Sequence, residues 1–178
     1  SLTNSLDTLL FEGDKESSIE TSSVSAQVDR NYKYEGLASN KLSYEFSGME
    51  GEAIYVVDAE RSIMGNSQSI FAMHIYSDYS FNTLYAKWAV EGDIKYTKIC
   101  DLDYAGWLYQ EADMSALPAG VDYQFMGLRL VRQNSFLSQK GEFYVDALRV
   151  KHEPVSTGLE SVTENQRTET KFIEDGYL

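Results

Sequence analysis

Eight short segments of this chain alternate apolar and polar residues with a period of two. Because successive side chains of a strand point to opposite faces, such alternation is typical of strands with one buried face. The only competitor for a helix is one turn at 113–117, before Pro118. The pattern predicts an all-β fold of two packed antiparallel sheets, a β-sandwich. The expected strands are 40–47, 52–58, 69–77, 83–90, 94–100, 107–113, 123–133 and 142–151.

Size and charge limit the class of the protein and its partners. Its 178 residues, 43% of them hydrophobic, suffice for one domain with a substantial core. The formal charge of -13 repels phosphate backbones and anionic membrane surfaces. No apolar run approaches the ~20 residues of a membrane-spanning helix. We therefore expect neither nucleic acid as a partner nor insertion into a membrane.

The texture of the sequence changes after residue 153. Residues 1–153 hold the alternating segments, so we expect one jelly-roll sandwich domain there. Residues 154–178 have little apolar content and no sustained period, which predicts a polar linker followed by the truncated start of a C-terminal tail. The chain begins without a charged and apolar leader, which favours either a cytosolic protein or a segment of a larger secreted one.

The chain is poor in catalytic side chains. Its two histidines, His74 and His152, stand in no nucleophile or metal motif. Cys100 has no partner cysteine and is best explained as a buried thiol. Some close acid pairs are inevitable among 28 acids, and solvated loops explain them. These pairs are Glu50 with Glu52 and Asp101 with Asp103. We expect no catalytic residues.

Four segments, in this order and spacing, resemble the galactose-binding-like jelly-roll modules of carbohydrate-active proteins. They are Gly-Leu-Ala-Ser-Asn-Lys-Leu-Ser-Tyr-Glu-Phe-Ser at 36–47, Ile-Phe-Ala-Met-His-Ile-Tyr-Ser-Asp at 70–78, Gly-Trp at 106–107 and Phe-Tyr-Val-Asp-Ala-Leu-Arg-Val at 143–150. The resemblance spans about residues 9–152. Residues 157–176 are similar to the linker and tail start of exported, surface-displayed proteins of glycan-degrading anaerobic bacteria.

The resemblance implies a carbohydrate-binding-module-like accessory domain without catalysis of its own. Such a domain holds a covalently linked glycoside hydrolase or related enzyme on a polysaccharide or oligosaccharide. The resemblance also implies a bacterial protein that is secreted or displayed on the outer cell surface. Two other classes stay open. One is a structural spacer or protein-contact domain that binds no glycan, and the other is a hydrolase that uses loop carboxylates.

The resemblance further implies a structural calcium ion that joins the first strand region, the loop before the next long strand and an acid in the last strand. Residues in matching places are Glu12 or Asp14, the carbonyls around Ser39 and Asn40, and Asp146. Calcium takes about six to eight oxygens, many from the backbone, so only the carboxylates can be nominated from sequence. In the alternative interpretation, Asp146 hydrogen-bonds a neighbouring loop.

Parity assigns the side chains of three long strands to the core or to the outside. The core-facing residues share apolar character. They are Phe71, Met73 and Ile75 in the first strand, Leu84, Ala86 and Trp88 in the second, and Met126, Leu128 and Leu130 in the third. Phe125, Arg129 and Val131 of the third strand then fall outside.

The outward residues supply the candidate ligand site, because a sugar needs flat aromatic faces and side chains that hydrogen-bond hydroxyls. If the three strands were neighbours in one sheet, the candidates would share one concave outer surface. They are His74, Tyr76, Tyr85, Lys87 and Arg129. Tyr96 is a further candidate, although its parity with Ile94 favours the core. Plain solvation of an antiparallel sheet also produces a polar face, so both interpretations stay open.

The remaining aromatic residues of interest are two tryptophans and a loop. We expect Trp88 and Trp107 to pack in the core. Tyr79 and Phe81 lie in the polar segment 77–82, where exposed rings indicate a contact surface.

Overall fold

The computed structural model describes residues 2–6, 11–14, 22–57, 64–66 and 68–152. Within these ranges the chain forms twelve β-strands, one 3₁₀ turn at Met114–Ala116 and no α-helix. The strands are β1 (Leu2–Leu6), β2 (Phe11–Asp14), β3 (Ser22–Asp29), β4 (Ser39–Phe46), β5 (Gly51–Val57), β6 (Met64–Asn66), β7 (Ser69–Asp78), β8 (Thr83–Val90), β9 (Asp93–Asp101), β10 (Ala105–Glu111), β11 (Asp122–Arg132) and β12 (Lys140–His152).

The strands pair into two antiparallel sheets. The first sheet has the order β10-β7-β12-β4-β3, with β1 also paired to β12. The second has the order β2-β5-β11-β8-β9, with β6 also paired to β11. The protein is therefore an all-β, two-sheet sandwich, as the alternating segments predicted. Each predicted strand overlaps an observed one.

The core lies between the two sheets and is rich in aromatic rings. The Phe71 ring of the first sheet lies 4.6 Å from the Phe125 ring of the second, measured between centroids. Trp88 is fully buried, as predicted, and its indole N–H donates to the Thr97 hydroxyl at 2.9 Å. A buried ring of this kind contributes about 1.5–3 kcal/mol through removal of apolar surface from water. These contacts fix which face of each sheet is left outside.

A β-bulge in β11 changes the parity predicted for that strand. The register of β11 against β8 shifts between Phe125 and Gly127, and Gly127 has a φ of 143°. A Cβ at Gly127 would lie 2.0 Å from the carbonyl oxygen of Tyr55, so only glycine fits. Because the extra residue resets the alternation, Phe125 and Leu128 are both in the core and Met126 is not. The prediction of Met126 inside and Phe125 outside is wrong for this reason.

The predicted domain boundary stays a prediction. Strand β12 ends at His152, and residues 153–178 lie outside the described residues. The polar linker and the truncated tail start are therefore expectations from sequence alone.

Candidate functional site

The five residues predicted to share one surface are divided between the two sheets. His74 and Tyr76 lie on the outer face of the first sheet, because β7 pairs with β10 and β12. Tyr85, Lys87 and Arg129 belong to β8 and β11 of the second sheet. The connection from β7 to β8 crosses from one sheet to the other, so the expectation of a common surface is wrong. The parity predicted for β7 and β8 is confirmed, and that of β11 holds only beyond its bulge. Strands β8 and β11 are neighbours, but β7 lies in the other sheet.

On the outer face of the second sheet, the polar side chains contact one another. The Nε of Arg129 donates to Glu52 at 2.5 Å, and its guanidinium carbon lies 4.6 Å from the centre of the Tyr96 ring and 6.0 Å from that of Tyr85. Lys87 is only 8% exposed. Tyr96 therefore lies beside Arg129 on the outer face, and the prediction that parity with Ile94 places it in the core is wrong. Ile94 itself is half exposed at the sheet edge.

The outer face of the first sheet carries a row of aromatic rings. Register places Trp107 of β10, Tyr76 of β7 and Tyr144 of β12 directly beside one another. The Tyr76 ring centroid lies 5.4 Å from that of Trp107 and 5.7 Å from that of Tyr144, with the rings edge to face. In the next row, Tyr109 lies 5.5 Å from His74. Trp107 is half-buried on this outer face, so the prediction that it packs in the core is wrong.

A loop from the sheet edge crosses this aromatic face. We call residues 30–38, between β3 and β4, the strap. Tyr32 of the strap stacks on Tyr144 at 5.1 Å with an interplanar angle of 22°. Tyr34 stacks on the imidazole of His74 at 3.6 Å and 12°. The two strap rings remain 48% and 50% exposed, so each offers its other side to solvent.

Local hydrogen bonds set the path of the strap. At its start, one carboxylate oxygen of Asp29 accepts from the backbone N–H groups of Asn31 and Tyr32, both at 2.8 Å. This side-chain turn directs the chain out of β3. At its end, the Ser39 hydroxyl donates to the Tyr32 carbonyl at 2.5 Å. The middle of the strap is bonded to Asp146, whose carboxylate accepts from the N–H groups of Tyr34 at 2.8 Å and Glu35 at 3.1 Å.

Several polar side-chain atoms of the aromatic face are available to a ligand. Burial, and secondarily the positive charge of Arg149, lowers the pKa of His74 to about 4, so the imidazole is neutral at neutral pH. Within the described part of the chain, three phenol hydroxyls and one imidazole on this face make no hydrogen bond to protein. They belong to Tyr32, Tyr34, Tyr76 and His74. These groups can donate to and accept from a bound polar molecule.

The predicted calcium site lies only partly within the described residues. They contain no group of three or more histidine, cysteine or acidic side chains placed to hold a metal ion. Asn40 and Asp146 lie on neighbouring strands of the first sheet, since Asn40 pairs with Val145. Glu12 and Asp14 belong to β2 of the second sheet, and their side chains lie outside the described residues. Asp146 hydrogen-bonds a neighbouring loop, which was the alternative interpretation, and calcium binding stays a prediction.

Two of the four acids considered for catalysis, and the single cysteine, have structural roles. Glu52 is paired with Arg129, and Asp101 accepts from the Thr83 hydroxyl at 2.7 Å and from the Lys98 ammonium at 3.2 Å. Burial raises the pKa of the Cys100 thiol to about 12, which leaves no reactive thiolate at neutral pH.

The sequence pattern missed five rings of the aromatic face. They are Tyr32, Tyr34, Trp107, Tyr109 and Tyr144. The Tyr-Lys-Tyr of the strap is the one local signal that pointed there, because two rings in a turn-rich loop are unusual. The exposed loop rings were found from sequence: Tyr79 is 56% and Phe81 49% exposed, and their centroids are 5.2 Å apart.

Comparison with known proteins gives structural neighbours only. No protein-family model matches the chain, and no curated protein matches it significantly. The glycoside hydrolase domain structure of Endo-D from Streptococcus pneumoniae R6 aligns with a TM-score of 0.58 and 14% identity, over 83% of this chain and 22% of that one. Carbohydrate-binding modules of the β-sandwich superfamily align at a TM-score of 0.49 and 10% identity, over 83% of this chain and 58% of that one.

A third structure, the C-terminal family 22 carbohydrate-binding module of Clostridium thermocellum Xyn10B, aligns at 0.49 and 12% identity, over 83% of this chain and 88% of that one. The chain thus spans less than two thirds of the first two structures. The Endo-D alignment shows a shared fold. The two-sheet sandwich implied by the sequence resemblance is confirmed by the strand order of the two sheets. No helix among the described residues is long and apolar enough to span a membrane.

Proposed function

We propose that this chain is a non-catalytic carbohydrate-binding module that holds a glycan on the aromatic face of the first sheet. The observation that carries the proposal is a combination of two features. Flat rings lie on three adjacent strands and on the strap, and the hydroxyls of Tyr32, Tyr34 and Tyr76 and the His74 imidazole make no hydrogen bond within the described residues. Pyranose rings present apolar C–H faces and a rim of hydroxyls, so a ligand of that class matches both features.

The neutral state of the face supports a sugar ligand. His74 carries no charge at neutral pH, and Lys41 beside Tyr144 is paired with Glu142 at 3.2 Å. Hydroxyls of a bound sugar would meet phenol and imidazole groups that already lie at half-buried positions. Such groups lose little hydration on binding, which favours moderate affinity with directional hydrogen bonds.

A binding module without catalysis of its own acts on behalf of another domain. We propose that the chain targets a covalently linked glycan-active enzyme to polysaccharide in a secreted or cell-surface bacterial protein. The structural roles of Glu52, Asp101 and Cys100 support a module without catalysis of its own. A spacer or protein-contact domain is the competing role, and such a domain is expected to have a polar outer face with all aromatic residues buried.

Affinity electrophoresis against a panel of neutral and acidic polysaccharides, followed by calorimetry with the best oligosaccharide, tests the proposal. Trp107→Ala should weaken binding by about fivefold through the loss of one stacking contact of ~1 kcal/mol. Tyr85→Ala is the matched control, because it removes a ring from the outer face of the other sheet. Equal losses in both variants would place the ligand elsewhere. A chain that binds no glycan in the panel would favour the spacer or protein-contact role.

A further inference from the structure

A β-bulge in the last strand turns two charged side chains toward the strap. The register of β12 against β7 shifts between Asp146 and Arg149, and Ala147 has a φ of 54°. A left-handed alanine costs roughly 1 kcal/mol, so the fold keeps this conformation against a local preference. Leu148 stays in the core, at 1% exposure. The extra residue therefore places both Asp146 and Arg149 on the outer face.

The Asp146 carboxylate is buried under the strap and is surrounded by N–H donors. It is 2% exposed. One oxygen accepts from the N–H of Ala147 at 2.7 Å, and the other accepts from the N–H groups of Tyr34 and Glu35. Buried carboxylates need such donors, and hydrogen bonds to a charged group are about twice as strong as neutral ones. The two strap N–H groups belong to Tyr34, which stacks on His74, and to the residue after it.

Arg149 holds the same part of the strap by its side chain. Its guanidinium forms an ion pair with Glu35. Both side chains of this pair are 37% exposed, so the pair is screened by solvent and is the weaker of the two contacts. The bulge thus supplies a buried anchor and a half-exposed one to adjacent strap residues.

The surroundings of Asp146 do not fit the calcium ion that the sequence resemblance implies. A calcium site presents several oxygens to the ion, whereas the groups nearest this carboxylate are three backbone N–H donors. N–H donors stabilise an anion and repel a cation. Among the described residues, Asp146 binds the strap directly through hydrogen bonds. The resemblance implied that a calcium ion would join this loop to the last strand.

We propose that Asp146 is a positioning residue: its buried carboxylate, presented by the Ala147 bulge, fixes the strap so that Tyr34 lies on His74, and it does so without a metal ion. We call the hydrogen bonds from the Tyr34 and Glu35 N–H groups to Asp146 the latch. The consequence for glycan affinity rests on the proposed function, but the latch itself does not. Preorganising the strap removes its ordering cost from the binding step.

Hydrogen exchange of the full chain, measured by NMR without any glycan, tests the latch. The Tyr34 and Glu35 amides should exchange at least about tenfold more slowly than those of Lys33 and Gly36 in the same strap, because each donates to a buried charged acceptor. The protection should be the same in EDTA and in excess calcium. Rapid exchange at Tyr34 and Glu35, or protection that EDTA abolishes, would overturn the proposal without any variant.

Two variants extend the test. Asp146→Asn removes the negative charge and replaces one of the two acceptor oxygens with an NH2 group, so it should reduce protection at Tyr34 and Glu35 toward the level of Lys33 and leave the strands protected. Ala147→Gly is the matched control, because glycine adopts the same left-handed conformation without strain and should preserve the latch. Once a glycan is known, Asp146→Asn should also weaken it several-fold. Unchanged strap protection in Asp146→Asn would refute the positioning role, whereas a protected strap with no glycan bound would refute only the proposed function.

Discussion

Replacing Tyr34 with alanine tests two roles of the strap, the cover over His74 and the surface on which a ligand would stack. One side of the ring covers His74 at 3.6 Å, and the other is open to solvent, where a ligand would stack. The chain has two histidines, so His74 can be followed by NMR with His152 as an internal reference. The substitution should therefore change the pKa of His74, the free energy of unfolding and the affinity for a glycan.

The first expected change is in the pKa of His74. Burial is the larger cause of its depression to about 4, and Arg149 is the smaller. Tyr34→Ala readmits water to one side of the imidazole but leaves Arg149 in place. The pKa should rise by about one unit, which is part of the way back to the ordinary value. A fully restored value would mean that the whole strap had detached.

The other two changes are smaller. The Tyr34 ring is half exposed, so its loss should lower the free energy of unfolding by about 1–2 kcal/mol. Loss of one stacking platform of ~1 kcal/mol should weaken glycan binding by about fivefold. Proton NMR titration, urea unfolding and calorimetry measure the three changes. An unchanged His74 pKa would refute the claim that the strap desolvates the imidazole, and unchanged affinity would remove Tyr34 from the binding face.

Three further outcomes are expected. The pKa of His74 is about 4 in the folded chain and 6.5 in the unfolded chain, so the unfolded state takes up the proton first as the pH falls. The free energy of unfolding should therefore fall as the pH drops from 6.5 to 4. In His74→Gln, the free energy of unfolding from urea melts should lack that part of the pH dependence. Gly127→Ala should destabilise the fold by more than about 3 kcal/mol in urea melts, against about 1 kcal/mol for Gly92→Ala, which has the same kind of φ but open space. Cys100 should resist a thiol reagent until urea unfolds the chain, and rapid labelling of the native protein would contradict its burial.

Alternation predicted the strands and most of the core because both depend on neighbouring residues. In β7 the period of two correctly separates buried Phe71 and Ile75 from outward His74 and Tyr76. Pairing between strands is not encoded in that period. The sequence of β7 does not indicate that its neighbours are β10 and β12 rather than β8. The predicted site therefore combines residues from the outer faces of two different sheets.

Bulges set the second limit on what the sequence predicts. Gly127 and Ala147 each add one residue to a strand and reverse the alternation beyond it. Glycine at 127 is a recognisable signal, since an isolated glycine in a strand pattern suggests a bulge. Ala147 gives no such signal, because alanine rarely adopts a positive φ. The placement of Arg149 beside Asp146 therefore emerges only from the fold.

The two outer faces differ in a way that plain solvation does not explain. On the second sheet, Arg129 lies against Tyr96 and pairs with Glu52, so its polar groups are satisfied within the protein. On the first sheet, the strap is bonded through its backbone to Asp146, and the hydroxyls of Tyr32 and Tyr34 make no hydrogen bond to the part of the chain that the structure describes. Holding these rings in fixed positions costs conformational freedom, and their hydroxyls add no hydrogen bond within the described residues in return. Because the hydroxyls of a bound glycan could form those hydrogen bonds, this asymmetry favours the first sheet as the binding face.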